Sequence, residues 1–242
     1  MVAAFTRHAL LEVVACFGIF VDAPRSARHG ADIDSLMYMI YAIVGVFFVV
    51  LEGYLVFSMI RYRQKVGVKA KYETGETFRE MRWILVLAVI VTVLDFAIDI
   101  KGARVWAKVK ENLPAGEVKI RVIAQQFAWT FVYPGSDGRF NTADDLIVPR
   151  VLHVPANRKI RVTLTSKDVV HSFFLPEVRL KQDIMPGREI DAWFEVTKPG
   201  TYTLVCAELC GLGHTRMSGQ LMVHDQADYD RWLQETAKEL LP

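Results

Sequence analysis

Residues 206–217 read C-A-E-L-C-G-L-G-H-T-R-M, and the placement of this stretch decides the fold. Cys206 closes a run of alternating apolar and β-branched residues at 202–206, and a second run of the same kind spans 220–224. Period-two patterning reads as strand, so the stretch is an end loop between two strands, able to turn tightly at Gly211 and Gly213. It carries thiols at Cys206 and Cys210, an imidazole at His214 and a thioether at Met217, and a lone His171 stands upstream.

Outward from this loop the same pattern predicts strands at 118–124, 127–133, 147–154, 159–165 and 188–196. Pro134-Gly135 and Lys198-Pro199-Gly200 supply turns between them. Seven or so short strands without intervening helices predict a β-sandwich with Greek-key connections. His171 is expected to close a strand at the same end as the 206–217 loop. The tail over 227–241, with Tyr229, Trp232, Leu233, Leu240 and Leu241, predicts a surface helix docked by one face. Residues 137–145, D-G-R-F-N-T-A-D-D, are acidic but lack the EF-hand spacing of alternating ligands closed by a glutamate, so they read as a solvated hairpin loop.

The first hundred residues are of another character. Of the 242 residues 52% are hydrophobic, and the mean hydropathy is +0.22, which calls for a search for membrane segments. From 36 to 60 the only charged residue is Glu52, and from 83 to 100 an apolar run is interrupted only by Asp95 and Asp99. Both lengths suit a bilayer core of about 30 Å. Arg61, Arg63, Lys65, Lys69, Lys71, Arg79 and Arg82 crowd the segment between the two spans, against Glu73, Glu76 and Glu80. Basic short loops stay cytoplasmic, so both ends of this hairpin and everything after it are expected outside. Carboxylates within a span face a partner helix or a water path, and for Glu52 and Asp95 a hydrogen bond to a neighbouring subunit is the expectation. The leader has Arg7 before a moderately apolar run at 9–20, broken by Glu12, and V-V-A-C ending at Cys16. It fits a short signal, a lipoprotein-like site, or an amphipathic or disordered segment with an incidental cysteine.

Some classes are excluded. A formal charge of +2 without an arginine-rich stripe gives no case for nucleic acid, and three cysteines make no disulfide scaffold. No C-x-x-C-H sequence exists for attaching a c-type haem.

Soft sulfur with imidazole suits copper better than calcium or magnesium. A Cys206–Cys210 disulfide leaves His171, His214 and Met217 without a role. A mononuclear blue-copper site takes one cysteine, and this loop has one thiolate too many. Zinc accepts two cysteines and two histidines, but methionine is a poor zinc ligand. Two coppers sharing both thiolates, each with one histidine and one weak ligand, use every residue. A closed ligand shell leaves no position for substrate, which points to an electron relay.

In these residues, over about 36–224, the chain resembles subunit II of the haem–copper cytochrome c oxidases. The family's H-S-F is His171-Ser172-Phe173, and its C-x-E-x-C-G-x-x-H-x-x-M is complete at 206–217. The resemblance implies a binuclear CuA centre in a cupredoxin domain. Cys206 and Cys210 would bridge, with His171 and Met217 completing one copper, and His214 and the Glu208 carbonyl completing the other. The Glu208 side chain would reach a magnesium or manganese ion shared with the catalytic subunit. L-K-Q-D-I-M-P-G-R at 180–188 resembles a family segment near that boundary.

The resemblance further implies a role for the chain: taking electrons from a cytochrome c-type donor and passing them to subunit I for reduction of oxygen to water with proton translocation. The expected location is the bacterial cytoplasmic membrane, among further membrane subunits, with the copper domain periplasmic. Two departures stand out. The family's aromatic run is here Gln125-Gln126-Phe127-Ala128-Trp129, with Phe127 where electrons are taken in, Trp129 beyond it and Ala128 breaking the run. A membrane-bound cytochrome c or a supercomplex partner fits that change. Glu80 resembles a glutamate at the mouth of a proton channel, but Arg82 and a missing proline after Trp83 depart from the pattern, and a headgroup-level carboxylate fits equally. A nitric oxide reductase of the same superfamily would use the same module. A copper chaperone would need an exposed, exchangeable site. The expected organisation is a leader (1–34), a transmembrane hairpin (35–104), the CuA cupredoxin domain (105–225) and a C-terminal surface helix (226–242).

Overall fold

A computed structural model describes residues 27–28, 30–69 and 74–240. The leader readings at Arg7, 9–20, Glu12 and Cys16, with Lys71, Glu73 and Leu241, lie outside the described residues. The chain divides into two compact units, residues 32–112 and the remainder.

The first unit is a helical hairpin. Helix α1 (Gly30–Arg61) and helix α2 (Phe78–Trp106), the latter continued by a π turn over Ala107–Glu111, are both long and apolar enough to cross a bilayer. Their most apolar stretches are unburied in the single chain, and Glu52 and Asp95 are exposed there. Helix continues beyond the expected apolar cores because polar residues cap and staple its ends. Thr77 caps α2 in a capping box: its hydroxyl accepts the Glu80 N–H, and the Glu80 carboxylate accepts the Thr77 N–H, each at 3.4 Å. Glu80 is thereby engaged at a helix start. At the other end Lys101 Nζ donates to the Ser35 carbonyl (2.8 Å) and hydroxyl (2.9 Å), and Lys108 pairs with Asp32. These contacts set the end of α2 against the start of α1, so the two run antiparallel.

The second unit is a sandwich of two five-stranded sheets. The first contains β1 (Val118–Gln125), β2 (Ala128–Tyr133), β3 (Leu146–Pro149), β5 (Ile160–Ser166) and β8 (Ile190–Phe194), in the order β3-β2-β1-β5-β8. The second contains β4 (Val151–Pro155), β6 (His171–Leu175), β7 (Leu180–Ile184), β9 (Gly200–Cys206) and β10 (Ser218–His224), in the order β4-β10-β9-β6-β7. Crossovers make the β1–β5 and β4–β10 pairs parallel. Alternation fills the core: Ile120, Val122 and Ala124 of β1 and Ile160, Val162 and Leu164 of β5 face inward, opposite Phe173, Leu204 and Leu221. Each of the valine, leucine, isoleucine and phenylalanine side chains contributes roughly 1.5–3 kcal/mol by burial.

Three strand expectations need correction. The run at 147–154 is two strands, because Arg150 adopts φ 67° and passes the chain from one sheet to the other. His171 opens β6 and does not close a strand. β7 was not anticipated, since L-K-Q-D-I lies on a sheet edge and points Lys181 and Asp183 away from the core, so it lacks an apolar, β-branched run. The 137–145 loop links antiparallel β2 and β3, and its acidic groups serve the loop itself. Asp144 accepts the hydroxyls of Thr142 (2.8 Å) and Ser136 (3.0 Å), and Asp145 accepts the Asn141 N–H (2.7 Å).

Helix α3 (Gln226–Leu240) docks through buried Tyr229 and half-buried Trp232, Leu233 and Ala237. Trp232 stacks on His153 with centroids 4.2 Å apart, and His153 Nδ1 lies 2.9 Å from His224 Nε2. Tyr133 OH accepts the His153 N–H at 2.7 Å, and burial holds the His224 imidazole below its ordinary value although the Asp228 carboxylate favours its charged form. Burial, with the neighbouring His224, pushes the His153 imidazole down from 6.5 to about 4. The unfolded chain therefore takes up this proton first. The contribution of this group to stability is full above about pH 6.5 and is expected to fall as pH is lowered from there to about 4. Denaturant titrations followed by tryptophan fluorescence should show that slope, and His153→Phe should flatten it.

Candidate metal centre

The centre lies where β9 runs out into the 206–217 loop. Phe173 pairs with Cys206 across β6 and β9, and one further ladder bond, Ala207 N–H to Ser172 O at 3.1 Å, holds the loop's first residue against the strand bearing His171. Cys206 N–H donates to Met217 O at 3.1 Å, closing the loop at its base. Within it, His214 N–H donates to Gly211 O (3.0 Å), and Met217 N–H to His214 O (3.1 Å). Gly211 has φ 130°, a conformation that side chains resist, which is why glycine stands there.

These bonds bring the sequence-predicted residues together. Cys206 and Cys210 are free, buried thiols with sulfurs 3.9 Å apart. His171 Nδ1 lies 3.9 Å from Cys206 Sγ, and the Glu208 carbonyl oxygen 3.2 Å from the same sulfur. His214 Nδ1 is 3.6 Å from Cys210 Sγ, and Met217 Sδ 3.7 Å from it. The ligand atoms of His171, Cys206 and Cys210 all fall within 4.8 Å of one another. The Glu208 side chain is exposed.

This donor set fits a soft cation. The sulfur separation is less than twice a metal–thiolate bond of ~2.3 Å, so one ion can touch both. Without a cation Cys210 resists ionisation: burial, with the Cys206 sulfur beside it, pushes its thiol up to about 11. Two adjacent thiolates here therefore call for positive charge between them. Both imidazoles turn Nδ1 to the sulfurs. For His171 the reason is visible, because Nε2 lies 2.8 Å from Asp168 Oδ1 and carries the proton toward it.

The turn between β1 and β2 covers the loop. Phe127, 38% exposed, lies on the two glycines: a Cβ on Gly213 would fall 2.4 Å from its Cδ2, and one on Gly211 3.3 Å from its Cε1. Gln126 Nε2 donates to Cys210 O at 2.6 Å. Trp129 is fully buried behind the turn, edge-on to His171 (6.4 Å) and Phe173 (5.8 Å). Sequence reading gave no role to Asp168 or to the Gln126 side chain. The one available signal was a carboxylate three residues before a candidate ligand histidine. Glu80 belongs to the helical unit.

Residues 118–223 match the family described as cytochrome c oxidase subunit II, periplasmic domain. A probable cytochrome c oxidase subunit 2 of Rickettsia bellii is 31% identical over 217 residues, covering 83% of this chain and 76% of that protein. This chain belongs to the cytochrome c oxidase subunit II family. An alternative cytochrome c oxidase subunit 2 of Bradyrhizobium diazoefficiens is 29% identical over 231 residues, covering 86% of this chain and 82% of that one. Among solved structures, the periplasmic domain of subunit II of the cytochrome oxidase of Bradyrhizobium japonicum is 27% identical, spanning 52% of this chain and 98% of its own, with a TM-score of 0.47. Subunit II membership makes this chain a component of a haem–copper oxidoreductase and copper the metal its family implies. The expected fold class, two apolar helices followed by a cupredoxin-like sandwich, holds.

Proposed function

We propose that this chain takes electrons one at a time from a c-type cytochrome on the periplasmic side of the bacterial cytoplasmic membrane. It delivers them to catalytic subunit I, where oxygen is reduced to water with proton translocation. The observation that carries this reading is the convergence of two free, buried thiols with two Nδ1 atoms, a thioether and a carbonyl within 3.2–3.9 Å contacts. When bound, a copper pair supplies a one-electron relay. Cys206 and Cys210 would bridge it, His171 with Met217 and His214 with the Glu208 carbonyl would complete it, and the exposed Glu208 carboxylate would reach a magnesium or manganese ion shared with subunit I.

The chain's own residues supply rigidity and access. The base of the loop is closed by the Cys206–Met217 backbone bond and its flank by the β6–β9 ladder, so the donors should rearrange little when an electron is taken up. Phe127, half-exposed over the loop, is the contact nearest an incoming donor, and buried Trp129 backs His171. Exposed Leu209 and Leu212 add apolar surface beside it, suited to a partner held at the membrane or in a supercomplex.

Rapid mixing of the purified complex with a reduced c-type cytochrome tests the reading. The near-infrared copper band should bleach before the haem bands of subunit I change. Haem reduction with no copper bleaching would contradict it. Met217→Leu, nearly volume-conserving at a buried position, should cost less than about 1.5 kcal/mol in stability. It should nonetheless alter the copper spectrum and midpoint potential, measurable by redox titration, because a weak ligand is lost.

A further inference from the structure

We propose that Asp168 is a positioning residue of the metal centre, one carboxylate that fixes both the donor nitrogen of His171 and the seat of Phe127. This rests on the reading that His171 is a copper ligand. The His171 ring is fully buried, and its Nε2 faces Asp168 Oδ1 at 2.8 Å. The same oxygen accepts the Val169 N–H at 2.7 Å. The other, Oδ2, accepts the Gln126 N–H at 2.6 Å. Gln126 in turn donates its side-chain amide to Cys210 O at 2.6 Å, and the next residue, Phe127, lies on Gly211 and Gly213. A continuous run of hydrogen bonds therefore joins His171 to Cys210 through Asp168 and Gln126, two residues that are not ligands.

Two consequences follow from the chemistry. A carboxylate accepting the outer ring proton locks the tautomer and makes the inner nitrogen a stronger donor. Its charge, close to the metals, also favours the oxidised state. Asparagine has nearly the same shape but cannot replace it. With its oxygen toward His171 and Val169, its amide would confront the Gln126 N–H, donor against donor.

The test uses the assembled complex containing the full chain. Asp168→Asn should retain two coppers while its redox equilibrium moves about tenfold toward the reduced form, ~59 mV for one electron, at the lower end of what outer-shell partners contribute. The histidine hyperfine couplings in pulsed paramagnetic resonance should change with it. Asp191→Asn removes a half-buried carboxylate bonded to Arg161 and Thr163 in the same domain and should leave both readouts unchanged. Retained coppers with an unchanged potential and unchanged couplings in Asp168→Asn would overturn the inference alone. Absence of two coppers from the unaltered chain would overturn the reading beneath it. Should Asp168→Asn fail to load copper, the unaltered protein decides by nuclear magnetic resonance. One ring N–H, that of His171, should be strongly protected from solvent exchange, while that of half-exposed His214 exchanges fast. Equally fast exchange of both would overturn the proposal.

Discussion

Cys206→Ser is expected to abolish the two-copper centre while leaving the sandwich folded. The substitution changes volume little, and the new hydroxyl would face the Glu208 carbonyl, which lies 3.2 Å from the Cys206 sulfur, so it can donate a hydrogen bond there. Folding stability should therefore shift by no more than about 1 kcal/mol. Metal binding is a different matter. A hydroxyl does not ionise at neutral pH and is a hard donor, so the set falls to one thiolate, two imidazoles and a thioether, which is a mononuclear donor set. Copper per chain should fall from two to one or none, and the near-infrared band and multiline resonance spectrum should vanish. Turnover with cytochrome c should fall to near background. Elemental analysis and spectroscopy on the purified variant complex check all three.

The second large effect is expected at Gly213. Its backbone, at φ −94°, is open to any residue, so alanine there meets no conformational penalty. The obstacle is the Phe127 ring. A Cβ would lie 2.4 Å, 2.6 Å and 2.8 Å from Cδ2, Cγ and Cε2, along the ring itself and not at the tip of a flexible chain. Either the ring leaves the loop or the loop shifts under it. Overpacking of this kind costs typically ~1–3 kcal/mol, and the part-exposed ring can escape toward solvent, so the domain should still fold. Electron transfer from the donor should suffer more: a displacement of about 1 Å at a contact can cost on the order of 100-fold in rate. Stopped-flow kinetics of Gly213→Ala should show slow copper reduction with intact copper content. A companion Phe127→Ala, which makes room for the methyl, should restore stability to the Gly213→Ala background but not the rate.

Two kinds of feature could be read from sequence. The spans around Glu52 and around Asp95 announce themselves by length and apolarity, because a membrane core imposes a demand that no loop can meet. The 206–217 loop is legible because its donors lie close in sequence and their softness names the metal. What stayed hidden depended on tertiary contact. Unbroken alternation through 147–154 conceals the change of sheet at Arg150, since either sheet accepts the same pattern. The polar edge strand β7 has no local signature. Asp168 matters only because β5's end and the β1–β2 turn meet at His171, a juxtaposition that sequence spacing does not express. The helix ends escaped for a related reason: Lys101 and Lys108 extend α2 by reaching Ser35 and Asp32, far away in the chain.

Metal analysis with paramagnetic resonance on the native assembly bears most directly on the central claim. Two coppers in this chain, beyond any in the catalytic subunit, are predicted, sharing one unpaired electron equally in a multiline spectrum, with both Cys206 and Cys210 unreactive to alkylation until the metal is removed. A single copper, a zinc ion, or a Cys206–Cys210 cystine in the native complex would contradict the account.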